Sequence, residues 1–312
     1  MSKALAAGLS VFIDGQAGTT GLQLEERLRG RSDLTLLEIN PSQRKDPEAR
    51  KALMDKADVV FLCLPDDEAR KAVLLASPYT LVIDASTAHR TADGWVYGLP
   101  ELSLSQRRLI ATARRIAVPG CHAAGFISLV APLVKSGHIQ RGHWLHCVSI
   151  TGYSGGGKAM IANYAGERDP DDMLHAPRPY ALGLNHKHLP EMMAMCDLTN
   201  APHFMPIVGD MAQGMLVNVP LWSTKKAEIW DALSRHYSNS HFIKVMPMDY
   251  ETQDGFLDPT ACNGTNNMEL FVFGNDDQVL LAARHDNLGK GASGAAMQCM
   301  NIACGLDESV GF

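Results

Sequence analysis

The first 120 residues alternate between short, unbroken apolar runs and stretches whose apolar positions recur at helical spacing. LSVFID (9–14) reads as a buried strand, and TTGLQLEERLRG behind it as an amphipathic helix closing at Gly30. LTLLEI (34–39), DVVFLCLP (58–65) and YTLVIDAS (79–86) repeat the strand signal, with PEARKALMDKA and DDEARKAVLLA as helices between them. A strand buried on both faces is apolar throughout, whereas a half-exposed one alternates. Runs of the first kind separated by helices predict a parallel sheet covered on both sides, that is, an α/β doubly wound domain.

From about residue 121 the pattern changes. HWLHCVSITGY, GMLVNVPLW, NNMELFVFG and QVLLAARHD are strand-like and follow one another with few helices between them. This predicts an α+β domain with a largely antiparallel mixed sheet. The last segment, SGAAMQCMNIACGL, has the length and composition of a helix. The expected organisation is a first domain over residues 1–120, completed by a returning helix at about 291–312, and a second domain over 121–290.

Hydrophobic residues make up 46% and charged residues 20% of the 312 positions, the proportions of an ordinary globular protein. With 28 basic against 34 acidic residues the net charge is −6, which speaks against nucleic acid or an anionic membrane as partner. The opening MSKALAAGLS runs into the first strand without a cleavage pattern, so a strand is expected there and not a signal peptide. No stretch approaches the ~18 consecutive apolar residues of a membrane span. Seven scattered cysteines without a CxxC pair suit neither a disulfide framework nor a structural zinc site, and fit a reducing, cytoplasmic setting.

The first strand ends in DGQAGTTG, with Gly15, Gly18 and Gly21 in the turn and Thr19 and Thr20 opening the helix. Glycines permit a tight turn and close backbone approach, and the helix N-terminus offers N–H groups to a pyrophosphate. The spacing departs from G-x-G-x-x-G, and an ordinary glycine turn shares its look. Its place between strand and helix is what favours a Rossmann-type dinucleotide site. The strict spacing occurs at Gly289, Gly291 and Gly294, where too few residues follow to complete a βαβ unit. The second strand runs out as Glu38-Ile39-Asn40 and then PSQRK. A carboxylate there suits the ribose hydroxyl of NAD, whereas Ser42, Arg44 and Lys45 suit the 2′-phosphate of NADP. The reading adopted is NADP, with Glu38 pointing the other way.

VPGCHAAG (118–125) sets Cys121 after a Pro-Gly turn and ahead of an apolar helix. A helix N-terminus stabilises a thiolate, which makes Cys121 a candidate nucleophile; a small buried residue is the competing reading. The other cysteines lie mostly inside apolar runs, where burial explains them. A thiolate needs a proton-handling partner, and the densest histidine cluster is NHKHLPEM, with His186, His188 and Glu191. Extended backbone would point both histidines the same way, Pro190 opposes a regular helix through them, and Glu191 could orient one imidazole. A His-x-His metal pair is the alternative, but no further ligand pattern accompanies it, so no metal is assigned. In TGYSGGGKAM, Ser154 and Gly155 to Gly157 can form a backbone nest for an oxyanion, with Lys158 adding charge; a flexible loop has the same composition.

GQAGTTG, DASTAHR (84–90), YGLPEL (97–102), PGCHAAG, SGGGK, HKHLPE and HDNLGKGASGAAMQCMN resemble, in that order and over nearly the whole chain, the shorter branch of the N-acetyl-γ-glutamyl-phosphate reductase family. PGC followed downstream by H-x-H-x-P-E is the most specific part. The resemblance implies an NADP-binding Rossmann domain and an α+β domain that carries catalysis and the contacts of a homodimer or homotetramer. It implies reduction of the small acyl phosphate N-acetyl-L-glutamyl 5-phosphate by NADPH through a cysteine thioester, in arginine biosynthesis. By position Cys121 matches the nucleophile, His188 the acid/base and Glu191 its support, while Asn287 to Gly291 matches a segment that closes over the cofactor. Arg90, Ser154, Gly155, Lys158 and His186 are the candidate substrate contacts. Two departures from the longer branch stand out: Gln213 in DMAQGML replaces an arginine, and His122 replaces a tyrosine. Aspartate-semialdehyde dehydrogenases share the architecture but surround their cysteine with an asparagine- and threonine-containing motif that is absent here. A cofactor-free thiol acyltransferase or hydrolase would leave GQAGTTG without a task, and a nucleotide-sensing redox regulator would not need HKHLPE.

Overall fold

Six short parallel strands form the first sheet, and burial of the central ones explains their apolar composition. The structure, a computed structural model, describes residues 8–169, 171–222 and 224–312. Residues 1–7, read above as the lead-in to the first strand, lie outside the described residues. In chain order the first elements are β1 (Leu9–Asp14), α1 (Thr19–Arg29), β2 (Leu34–Leu37), α2 (Pro47–Met54), β3 (Val59–Leu62), α3 (Asp66–Ala72), β4 (Leu81–Asp84), β5 (Val96–Tyr97), α4 (Leu104–Thr112) and β6 (Arg115–Ala117). The sheet runs β2-β1-β3-β4-β6-β5 and every pairing is parallel. β1 has β2 on one side and β3 on the other, so the winding reverses at its C-terminal end, where such sheets bind ligands.

Alternate residues of these strands enter two separate cores. Val11, Ile13, Val59, Phe61 and Ile83 pack on one face with Leu24 and Leu28 of α1. Phe12, Val60, Leu62 and Val82 pack on the other with Met54 of α2 and Ala72 of α3. Two buried faces leave no polar position within β3 or β4 except the terminal Asp84, which is why these strands read as unbroken apolar runs.

The second group of elements comprises α5 (Cys121–Lys135), β7 (His146–Gly152), α6 (Gly157–Tyr164), β8 (Arg178–Pro179), α7 (Leu189–Cys196), β9 (His203–Gly209), β10 (Met215–Trp222), α8 (Lys226–His236), β11 (Ile243–Val245), β12 (Met268–Gly274) and β13 (Gln278–His285). The seven-stranded sheet runs β11-β12-β13-β10-β7-β9-β8. Only β11/β12 and β7/β9 are parallel, so the sheet is mixed and largely antiparallel. Helix α5 packs on β10 and β13 with α7 and α8 beside it. It is buried from His122 to Val130 and again at Pro132 and Leu133, the signature of an interior helix. Gly125 lets it approach the sheet, because a Cβ there would lie 2.7 Å from Val217 Cγ2.

The last helix, α9 (Gly294–Ala303), follows a π-helical turn over Gly289–Ser293. Its residues Ala295, Ala296, Met297, Cys299 and Met300 join Val11 and Ile13 in one core cluster. By contact density the chain divides into Gly120–Gly291 and a unit made of the residues up to Pro119 together with Ala292–Phe312.

Candidate active site

The glycine turn of the first unit is built for close approach. Gly15 has φ +87°, and a Cβ there would collide with the Cys63 carbonyl oxygen at the end of β3. A Cβ on Gly21 would lie 2.5 Å from the Gly15 carbonyl oxygen, and the Gly18 N–H donates to that same oxygen at 2.9 Å. Helix α1 starts at Thr19 with no side-chain cap, which leaves its first N–H groups for a ligand. Thr19 Oγ1 is buried there without a hydrogen-bond partner. Behind the turn, Arg50 of α2 grips the buried Asp14 carboxylate through Nη2 at 2.6 Å and Nε at 3.1 Å. Burial pushes the Asp14 carboxyl up from its ordinary range and Arg50 opposes this. No motif announces that pair, because Asp14 and Arg50 sit 36 positions apart.

At the end of β2, Ser42 donates its N–H and hydroxyl to Asn40 Oδ1 at 3.1 and 2.9 Å. Glu38, Arg44 and Lys45 are all exposed around it. In DASTAHR the buried Asp84 accepts the Ser86 hydroxyl at 2.7 Å and lies 2.6 Å from His89 Nδ1. Arg90, a candidate anion contact, is buried, and its Nε donates to the Val118 carbonyl at 2.9 Å. It therefore holds the backbone that leads into Pro119-Gly120-Cys121.

In the second unit Cys121 is half-buried and is the first residue of α5, with Gly120 as N-cap. The Gly120 N–H donates to Glu191 Oε2 at 3.1 Å, a contact from α7 to the nucleophile's own turn. Pro190 stands in the first turn of α7, so the proline that opposed a helix through both histidines instead starts one behind them. His186 and His188 occupy the tight turn ahead of it, with ring centroids 4.6 Å apart and the His188 N–H donating to His186 Nδ1 at 3.1 Å. The premise of extended backbone is replaced by this turn, and the two rings meet edge to face.

His122 packs against both, 5.7 Å from His186 and 5.5 Å from His188. PGCH and HKHLPE, far apart in sequence, thus form one cluster. His122 Nδ1 lies 2.7 Å from Ser149 Oγ and Nε2 lies 2.8 Å from the Tyr180 hydroxyl. Burial pushes the His122 imidazole down to about 3, with His186 and His285 adding to it, so the ring is neutral and bridges two hydroxyls as donor and acceptor. Burial, and after it the charge of Cys121, pushes the Tyr180 phenol up. His285, also held down to about 4 by burial, donates Nε2–H to the Cys121 carbonyl oxygen at 3.0 Å. Tyr180 lies in no motif of the sequence, and His285 opens HDNLGKGASGAAMQCMN without a sign of this contact; the strand pairing brings both here.

The loop after β13 closes on the same residues. Asn287 accepts the Gly214 N–H at 3.0 Å and donates Nδ2–H to Ser154 Oγ at 3.0 Å. Gly155 faces the same amide. Asn287 thus spends its side chain inside this unit. A Cβ on Gly291 would lie 2.7 Å from Cys121 Cβ. Lys158 is exposed on α6. Among the described residues, no group of three or more His, Cys, Asp and Glu is placed to hold a metal ion, no cysteine forms a disulfide, and no helix is long and apolar enough to cross a membrane.

Comparison with known proteins follows the same division. Residues 10–110 match the family model described as "Semialdehyde dehydrogenase, NAD binding domain", and residues 121–287 match "Semialdehyde dehydrogenase, dimerisation domain". Over 317 residues, 97% of this chain and 98% of the relative, the sequence is 46% identical to N-acetyl-gamma-glutamyl-phosphate reductase 2 of Nostoc sp.. The chain belongs to the N-acetyl-gamma-glutamyl-phosphate reductase family. A second relative of that name, from Trichormus variabilis, is 45% identical over 97% of this chain and 98% of its own. Another, from Pseudomonas putida, is 43% identical over 96% and 98%. Among solved structures, aspartate semialdehyde dehydrogenase from Francisella tularensis superposes with a TM-score of 0.71 at 15% identity, covering 94% of this chain and 99% of that one. That likeness is one of fold. Membership of the N-acetyl-gamma-glutamyl-phosphate reductase family makes the chain an oxidoreductase, whose first unit is of the nicotinamide-binding kind.

Proposed function

We propose that the chain catalyses the NADPH-dependent reduction of N-acetyl-L-glutamyl 5-phosphate to N-acetyl-L-glutamate 5-semialdehyde and phosphate, a step of arginine biosynthesis. The observation that carries this reading is the placement of Cys121 at the N-terminus of α5, tied through Gly120 to Glu191 of the HKHLPE segment. The helix end favours negative charge on the sulfur. Cys121 Sγ attacks the acyl carbon, the bond from that carbon to the phosphate oxygen breaks, and inorganic phosphate leaves a thioester on the enzyme. The nicotinamide, when bound, supplies a hydride to the thioester carbonyl carbon. The resulting thiohemiacetal oxygen re-forms its carbonyl, the carbon–sulfur bond breaks, and the semialdehyde leaves the thiolate behind. His188 holds and returns the proton at the carbonyl oxygen, with His186 and the neutral His122 packed against it. Ser154, Gly155 and Lys158 form the proposed cradle for the leaving phosphate.

The glycine turn fits a dinucleotide: the collision awaiting a Cβ at Gly15 keeps the backbone bare, and Thr19 Oγ1 waits beside free helix N–H groups. Gly15, Gly18, Thr19, Thr20 and Gly21 would hold the pyrophosphate, and Ser42, Arg44 and Lys45 a 2′-phosphate. Asn287 and Gly291 are proposed to complete the cofactor site by the family resemblance. Seven cysteines outside any disulfide suit a reducing cytoplasm, and the second unit, matching a dimerisation domain, is the proposed homodimer or homotetramer contact.

The deciding assay is phosphate-dependent reduction of NADP with N-acetyl-L-glutamate 5-semialdehyde. Turnover with the wild type and none with Cys121→Ala is expected. Absence of wild-type turnover, or full turnover in Cys121→Ala, overturns the reading. Aspartate semialdehyde in the same assay tests the nearest alternative substrate.

A further inference from the structure

Strand register places an unmatched arginine on the nucleophile's face of the second sheet. Arg178 of β8 stands opposite Val208 of β9, which stands beside Thr151 of β7. Residues directly across a ladder share a face, and residues two apart in one strand share it too. Ser149, two before Thr151, meets His122, the chain neighbour of Cys121. Tyr180, two after Arg178, meets the other nitrogen of the same ring. Arg178 therefore lies one side-chain step, about 7 Å, from the row that carries Ser149, His122 and Tyr180.

Its surroundings orient it toward the SGGGK turn. Arg178 Nη2 donates to the Tyr164 hydroxyl at 2.6 Å, and the guanidinium lies 5.7 Å from that ring's centroid. Tyr164 stacks on Tyr153 at 4.3 Å, the residue before Ser154. Arg168 shares the same ring at 5.1 Å, but its charge is matched by both oxygens of Asp210 at 2.8 Å. Arg178 has no such partner: among the described residues no carboxylate pairs with it, and its Nε is buried without a hydrogen-bond partner. A half-buried guanidinium without a counter-charge is costly unless an anion arrives from outside.

We propose that Arg178 binds the free carboxylate of the substrate, and so selects small acyl phosphates that carry a carboxylate a few bonds from the reacting carbon. In the substrate proposed above, that carboxylate carbon lies roughly 5 Å from the reacting carbon by standard bond lengths, of the order of the step separating Arg178 from the His122 row. A planar guanidinium suits it, since two parallel N–H groups match a carboxylate's two oxygens. The inference rests on the proposed reaction and goes beyond it by naming the residue that sets acid over neutral substrate.

The test compares the semialdehyde with its carboxamide analogue, in which the free carboxylate alone is neutralised. The wild type is expected to prefer the acid by about 100-fold in kcat/KM, and Arg178→Met to bring that ratio close to 1. The loss should fall on KM for the acid, with kcat for the carboxamide unchanged. Arg178→Lys, which keeps the charge but not the paired donors, should give an intermediate ratio, and it carries the comparison alone if the Met variant does not fold. Arg168→Met should leave the ratio near 100. Equal losses on both substrates, or an unchanged ratio in the variants, overturns the assignment while leaving the reaction standing. A wild type that turns over both substrates equally also overturns it. A wild type that turns over neither overturns the reaction itself, and the assignment with it.

Discussion

Gly291 and Cys121 touch so closely that the glycine has no room for a side chain: a Cβ at 291 would lie 2.7 Å from Cys121 Cβ and 3.2 Å from its Cα. Gly291→Ala must therefore move the cysteine or the loop. A displacement of about 1 Å costs a positioned nucleophile on the order of 100-fold. We expect kcat to fall by about that factor, read by steady-state turnover and by the burst of phosphate released when the thioester forms.

Glu191 supports the same residue from the other side, through the Gly120 N–H. Glu191→Ala leaves that buried donor unpaired, at a cost of about 1–3 kcal/mol. Glu191→Gln keeps an oxygen in place. Urea denaturation should show most of that destabilisation in the Ala variant and a small part of it in the Gln variant, with kcat following the same order.

Below neutral pH the second unit should lose stability through His122 and His285. Both imidazoles are buried and held down, to about 3 and about 4, whereas in the unfolded chain they take up protons near pH 6.5. The unfolded state then binds more protons, so stability is full above pH 6.5 and falls as pH drops toward 4. Each histidine contributes about 1.4 kcal/mol per pH unit in that window. His122→Gln should reduce the slope of unfolding free energy against pH by about one proton's worth between pH 6 and 4.5, measured by urea midpoints.

Gly15→Ala should weaken dinucleotide binding. Its φ of +87° disfavours any Cβ, and that Cβ would collide with the Cys63 carbonyl. NADPH fluorescence titration should show at least a tenfold weaker complex, and the melting temperature should fall as well.

Much of the first unit was legible because burial on both faces leaves one residue class in its strands. DVVFLCLP and YTLVIDAS contain β3 and β4 entire, though each strand is shorter than its apolar run. LTLLEI overshoots β2, which stops at Leu37 opposite Phe12 although β1 itself runs on to Asp14, and composition cannot report where a pairing stops. β5, β6 and β8 escaped notice: two- or three-residue strands exist only through their neighbours. The cysteine and the H-x-H-x-P-E segment were visible as motifs. What escaped was everything set by register, including the Tyr180 hydroxyl on His122, the His285 nitrogen on the Cys121 carbonyl, and Arg178.

β8 has one further consequence. It is the outermost strand of its sheet, and the Tyr180 N–H points inward to the Pro206 carbonyl. Backbone donors alternate along such a strand, so residue 179 would aim its N–H outward, and there the chain has Pro179. The rim beside Arg178 and Tyr180 thus offers no outward backbone donor at that position, and a foreign strand gains no ladder there.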